Sequence, residues 1–193
     1  MFDIIVISDQ MQSATNELLR SLPIRLLIAD YKDSSKAKAL TMAMDAIDGI
    51  PYDVVVIMDA DNLTSPHFLT AVNRAFDSGV RCIQAHRTGQ NLNTDISVLD
   101  GISEEINNGI FRSGHNALGL SAALSGSGMA FEADWFRKNV RLLETAGEDK
   151  ELEVLLLQQR IHTPYLPEIP IYDEKTQKEE AISNQRKRWI AAQ

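Results

Sequence analysis

Apolar positions along the chain fall into short continuous runs separated by stretches with helical spacing. Phe2–Ser8, Ile24–Ala29, Asp53–Met58 and Val80–His86 are the runs. Asp53–Met58 (D-V-V-V-I-M) is nearly unbroken Val and Ile, the pattern of a strand buried on both faces of a parallel sheet. Between the runs, Ala37, Leu40, Met44 and Ile47 follow a helical stripe behind Ser34–Ser35, a ready N-cap. Phe68, Val72, Ala75 and Phe76 repeat the pattern after Pro66, and Ile96, Leu99, Ile102, Ile106 and Ile110 mark a longer helix. Strands alternating with helices predict an α/β fold, an open and mostly parallel sheet with helices on both faces.

The later part is less regular. Ser125–Phe131 reads as a Gly-rich loop running into a strand, and Ala133–Asn139 and Lys150–Arg160 read as helices. Thr163–Pro170 carries Pro164, Pro167 and Pro170 and is expected to be extended. Thr176 with Glu179 fits a capping box that opens a last helix. The whole of 1–193 reads as one domain.

Charge narrows the partners. The net charge is −8, and the one dense basic cluster is Arg186, Lys187 and Arg188, so the broad basic face that nucleic acid needs is missing. An acidic protein still binds a nucleotide when a divalent cation bridges carboxylates to phosphates. Cys82 is the single cysteine, in an apolar run, and is expected to be a buried reduced thiol. No apolar run reaches the length of a membrane span, so the chain itself is expected to be soluble.

Open α/β sheets bind ligands beyond the carboxyl ends of their strands. Asp59-Ala60-Asp61 stands there, directly after the Val/Ile run. It is either a polar turn closing a strand or a pair of carboxylates aimed at one hard cation, Mg²⁺ or Mn²⁺. Asp9 closes the first run and shares that edge. Gly147-Glu148-Asp149 precedes the Lys150 helix, where Asp149 is either an N-cap or a general base for an acceptor hydroxyl. Ser125-Gly126-Ser127-Gly128 offers backbone close to a ligand. Lys36 and Lys38 decorate a helix face unless they serve the site. The histidines show no metal-ligand spacing.

Read in order, Asp9, Asp59-Ala60-Asp61, Gly147-Glu148-Asp149 and Gln185-Arg186-Lys187-Arg188-Trp189 reproduce a "D, DxD, D, QxxRW" signature. The chain therefore resembles the family 2 glycosyltransferases of the GT-A, Rossmann-like fold related to cellulose, chitin and hyaluronan synthases. Lys36-Ala37-Lys38-Ala39-Leu40 resembles the family's Lys-rich segment, and Gly126, Ser127 and Gly128 its acceptor-side loop. The resemblance implies a nucleotide-sugar donor, with UDP as the nucleotide, and a glycan or lipid-linked acceptor. Asp9, Asp59 and Lys36 would bind the donor, Asp61 with Asp59 the metal, and Asp149 would be the base of an inverting transfer. Gln185, Arg188 and Trp189 would hold the diphosphate and line the acceptor channel. Family members begin with an additional strand and helix and carry membrane helices on either side. The resemblance thus implies a core segment of a longer protein at the cytoplasmic face of the cell membrane. A sugar-phosphate nucleotidyltransferase and a non-catalytic nucleotide-binding fragment are the alternatives.

Overall fold

The computed structural model describes residues 1–177; the helix expected beyond Thr176 and the Gln185–Trp189 motif lie outside that range. The elements are β1 (Ile5–Asp9), α1 (Ser13–Arg20), β2 (Arg25–Ala29), α2 (Lys36–Ala46), β3 (Val54–Ile57), β4 (Leu63–Thr64), α3 (Phe68–Asp77) and β5 (Cys82–Gly89). There follow α4 (Asp95–Asn107), a π-helical segment (Asn108–Gly114), α5 (His115–Ala117), β6 (Met129–Glu132), α6 (Ala133–Asn139), α7 (Glu148–Gln158) and β7 (Tyr165–Asp173). Ser35 caps α2 as its sequence suggests, accepting from Lys38 N at 3.2 Å. The proline-punctuated segment is β7, which runs on to Asp173.

Pairing is mixed. β1 and β2 form a parallel pair, and the five-stranded sheet has the order β3-β6-β5-β7-β4. Within it β5 and β7 are parallel, while β6 runs antiparallel to both its neighbours and β4 to β7. β6 arrives after the long excursion through α4 and α5 and lies between β3 and β5, in a direction that hydrophobic period does not encode. β3 corrects one expectation. It is an edge strand of its sheet, antiparallel to β6, and Val54, Val55 and Val56 are only half-buried.

Alternate residues of the central strands feed two cores. Cys82, Met129 and Phe131 face α2, α6 and α7, packing with Leu40, Met44, Trp135, Phe136, Leu152 and Leu156. Ile83, Ala85, Ala130 and Ile171 face the other way, onto Phe68 and Val72 of α3. Helices therefore cover both faces, as expected. Burial pushes the Cys82 thiol up to about 12. Since the thiolate is the nucleophile, the native protein should resist a maleimide reagent at pH 8 and react once unfolded. Labelling at the unfolded rate before denaturation would contradict this burial.

The long helix forms, but not with the orientation its apolar stripe suggests. Leu99, Ile102, Ile106 and Ile110 are 63%, 51%, 53% and 55% exposed. The face turned inward is Ser97, Gly101, Glu104, Asn108 and Arg112, with Arg112 donating to Glu104 at 2.8 Å. The apolar side instead lines a groove of about 350 Å³ with Thr88 and Leu92. Among the described residues no helix is long and apolar enough to cross a membrane.

Candidate functional site

The site grows from strand ends. β1 stops at Asp9, whose Oδ1 accepts from Ser34 Oγ at 2.9 Å, just ahead of α2. The following residue, Gln10, turns the chain with φ 54°. β3 stops two residues before Asp59, and Asn62 closes that turn. Its side-chain oxygen accepts from Asp59 N at 3.1 Å, its amide donates to Asp61 Oδ1 at 3.1 Å, and its backbone N–H donates to Asp59 O at 3.1 Å. The Asp-Ala-Asp-Asn segment is thus a polar turn in its hydrogen bonding, and a turn that presents two carboxylates at the sheet edge.

The Gly-rich loop is fixed against it. Ser127 is fully buried and donates to Asn62 Oδ1, while its Oγ accepts from Asp59 N at 3.2 Å. Gly128 N donates to Ile57 O at 2.9 Å, which starts the β3–β6 ladder. Gly128 has φ 66°, and a Cβ there would lie 2.5 Å from Ile171 Cδ1, so only glycine fits. From below, Gln84 clamps the loop, accepting from Ser125 N at 3.0 Å and donating to Ser127 O at 3.1 Å.

Lys36, the first residue of α2, joins these parts. Its Nζ donates to Asp59 Oδ1 at 2.6 Å and to Gly126 O at 2.7 Å, and lies 3.7 Å from Glu148 Oε1. Lys38 points elsewhere, donating to Asp33 O at 2.5 Å. Glu148 is buried at 7% exposure; burial pushes its carboxyl above the ordinary range, with the Lys36 ammonium opposing. α7 begins at Glu148, with Gly147 as its N-cap residue. Asp149 is therefore in the first turn rather than at the cap, its Oδ1 accepting from Lys150 N at 2.9 Å. There its charge is favoured by the helix dipole.

Asp9, Lys36, Asp59, Asp61, Gly126, Ser127, Gly128 and Asp149 thus lie on segments that meet at one edge of the fold. Gln185, Arg188 and Trp189 lie outside the described residues. Sequence reasoning missed Glu148, although it stands inside the quoted Gly147-Glu148-Asp149, because spacing alone does not tell which of two adjacent carboxylates turns inward. It also missed Asn62. A divalent cation fits the chemistry of the oxygen donors here, Asp59, Asp61 and the Gly126 carbonyl. Among the described residues, however, no three His, Cys, Asp or Glu side chains gather as a metal cage.

Behind the loop lies a buried ionic chain. Arg87 donates to Asp173 Oδ2 through Nη2 at 2.7 Å and Nε at 3.0 Å, and through Nη1 to Ser125 O at 2.8 Å. Lys175 Nζ lies 3.2 Å from Asp173 Oδ1 and 3.6 Å from Glu104 Oε2. Burial works against the Arg87 charge, but Glu104 and Asp173 outweigh it and hold the guanidinium above its ordinary value.

A family model described as "Glycosyltransferase like family 2" matches residues 1–192. No curated protein matches the chain. Among solved structures, glucosyl-3-phosphoglycerate synthase from Mycobacterium tuberculosis in complex with Mn²⁺ and UDP-glucose superposes with a TM-score of 0.64 at 15% identity, covering 97% of this chain and 65% of that one. A structure described only as a mycobacterial protein gives 0.60 at 14% identity, covering 98% and 62%. A protein assigned as a glucose-1-phosphate thymidylyltransferase from Bacillus anthracis, in complex with sucrose, gives 0.54 at 12% identity, covering 98% and 76%. The chain thus spans under two thirds of the length of the two mycobacterial structures. At these identities the likeness is one of fold.

Proposed function

The chain belongs to glycosyltransferase like family 2 and has the family's GT-A, Rossmann-like α/β fold, and on that premise we propose that it moves a sugar from a nucleotide-sugar donor to an acceptor hydroxyl. The observation that carries this reading is the convergence of Lys36 on Asp59, Gly126 and Glu148 at the sheet edge. A cation and several oxygens gathered beside a Gly-rich loop are the groups that a diphosphate and a sugar call for. The match to a structure containing UDP-glucose and Mn²⁺ makes UDP the first nucleotide to test.

In this reading Asp9 and Asp59 bind the nucleoside, and Lys36 meets the diphosphate as a point charge. Asp61 and Asp59 hold Mg²⁺ or Mn²⁺, which when bound supplies positive charge for the leaving diphosphate. Asp149 takes the proton of the acceptor hydroxyl. That oxygen bonds to the anomeric carbon as the bond from that carbon to the diphosphate breaks, the electron pair leaves on the phosphate oxygen, and configuration inverts. Gly126, Ser127 and Gly128 border the acceptor. Gln185, Arg188 and Trp189 complete the diphosphate and acceptor walls, in keeping with a processive synthase and a glycan or lipid-linked acceptor. Positioning and charge carry most of the rate.

Calorimetric titration of UDP, with and without Mn²⁺, tests the donor site. Metal-dependent binding is expected, and Asp61→Ala should weaken it at least about tenfold by removing a charged metal ligand. Undiminished affinity in that variant would remove Asp61 from the metal site. Absence of UDP binding under every condition would remove the donor assignment. The thymidylyltransferase likeness predicts a different product, a nucleotide-sugar made from a nucleoside triphosphate and a sugar phosphate; formation of that product would favour the nucleotidyltransferase reading.

A further inference from the structure

The outer face of α4 is apolar and open. Leu99, Ile102, Ile106 and Ile110 repeat along it and are each more than half exposed, and Leu92 lines the groove beside them. Two glycines make room for Leu92: a Cβ on Gly89 or Gly101 would lie 2.8 Å or 2.7 Å from its Cδ2. A contiguous apolar face of this kind marks a surface that another element covers.

The chain itself leads to this groove. After β7, Lys175 is strapped to Asn91, whose side chain accepts from Lys175 N at 2.6 Å and donates to Lys175 O at 2.8 Å. The Lys175 stem packs beside Leu92, its Cγ 2.9 Å from where a Gly89 Cβ would stand, and its Nζ is 3.6 Å from Glu104 of α4. Gln177, the last described residue, follows two positions later. Residues 178–193 lie outside the described range. Thr176 with Glu179 predicts that a helix opens there. A helix over 178–193 would span about 24 Å, against about 18 Å from Val98 to Ile110, so it is long enough to cover the face.

Pattern and charge match as well. Ile182, Arg186 and Ile190 recur every four residues, which puts them on one face of a helix. That face is apolar with a cation at its middle. The groove is apolar with anions beside it: Glu105 lines it, and Asp95, seven residues before Ile102, shares the apolar face of α4. Arg186-Lys187-Arg188 is the one dense basic cluster of the sequence, whereas an anionic lipid surface would meet like charge on this face. We propose that the segment 178–193 docks along the α4 groove, Ile182 and Ile190 against Ile102 and Ile106, with Arg186 toward the acidic side. Gln185 and Arg188 fall on the flank of that helix, so the docked segment holds them on a fixed mount. The docking goes beyond the donor-site reading; only its consequence for Gln185 and Arg188 rests on that reading.

The test is amide hydrogen exchange on the whole chain without nucleotide. Amides of 178–193 should exchange at least about tenfold more slowly in the parent than in a variant carrying Ile102→Glu and Ile106→Glu, whose charges close the groove to an apolar face. A variant carrying Ile182→Asn and Ile190→Asn alters only the docking segment. It should lose the same protection, and it decides the matter if the α4 variant does not fold. Protection that survives in either folded variant, or none in the parent, overturns the proposal. Protection of α4 that rises with protein concentration, or that appears only with phosphatidylcholine and phosphatidylglycerol vesicles, overturns it too, giving the face to a second copy or to a lipid surface. A parallel UDP titration keeps the two readings apart: a parent chain that binds no UDP rejects the donor site, while the exchange result alone decides the docking.

Discussion

An Asp149→Asn protein is expected to bind UDP as the parent does and to transfer sugar about a hundred to ten thousand times more slowly. The substitution keeps the size of the side chain and an oxygen to accept from Lys150 N, the bond now made by Asp149 Oδ1 at 2.9 Å. What it removes is the proton acceptor. The stability cost should be small, roughly 0.3–1 kcal/mol for losing one charge from the first turn of α7, where Glu148 and Glu151 remain. A thermal melt beside the transfer assay therefore separates a missing base from a loosened helix. Glu148→Gln is the informative companion. If Asp149→Asn stayed fully active while Glu148→Gln lost turnover, the proton would be going to the buried neighbour, and Asp149 would be left as a first-turn carboxylate.

That choice between neighbours marks the boundary of what the sequence could say. The run D-V-V-V-I-M announced a strand, and Asp59-Ala60-Asp61 after it announced a turn with two carboxylates, because both signals are local. Ser35 announced the start of α2 for the same reason. Lys36 was open to two readings, an exposed helix decoration or a donor-site cation. The approach of Asp59 and of Gly126, 23 and 90 residues away, sets it apart from Lys38. The partner strand of β3 was illegible because period and composition do not encode pairing, so an edge strand half-buried beside β6 reads like a central one.

The α4 stripe shows a different limit. Ile96, Leu99, Ile102, Ile106 and Ile110 repeat at helical spacing and do predict the helix. The inward face of α4 and the π-helical segment after it nevertheless carries Ser97, Glu104, Asn108 and Arg112, satisfied partly by each other and by Thr94 and partly by other segments. Arg112 bonds Ala123 O at 3.2 Å, and Asn108 bonds Arg87 O at 2.9 Å. A polar stripe can pack inward when the fold brings each group a partner, and those partners are not visible in one dimension. Arg87 and Asp173 are likewise 86 residues apart.

That pair gives the second large expectation. Asp173→Ala should destabilise the protein by about 3–5 kcal/mol, the usual result of removing one partner from a buried pair. The side chains of Asp173, Lys175 and Arg87 are only 5%, 3% and 15% exposed, so the alanine leaves two cations with little solvent to screen them. For a chain of this length that corresponds to a melting temperature lower by roughly 6–20 °C. Asp173→Asn keeps an oxygen for Arg87 but not the charge, and should fall between parent and alanine. Replacing Arg87, Asp173 and Lys175 together with Leu, Leu and Met should recover much of the loss, because apolar groups of similar size owe no charge desolvation. That triple variant also separates stability from positioning. Arg87 holds Ser125 O at 2.8 Å, at the start of the Gly-rich loop. A stable triple variant with weakened UDP binding would therefore mean that the ionic chain sets the loop beside Asp59. If Asp173→Ala melted with the parent, the chain would be reaching solvent, and the buried network would carry neither role.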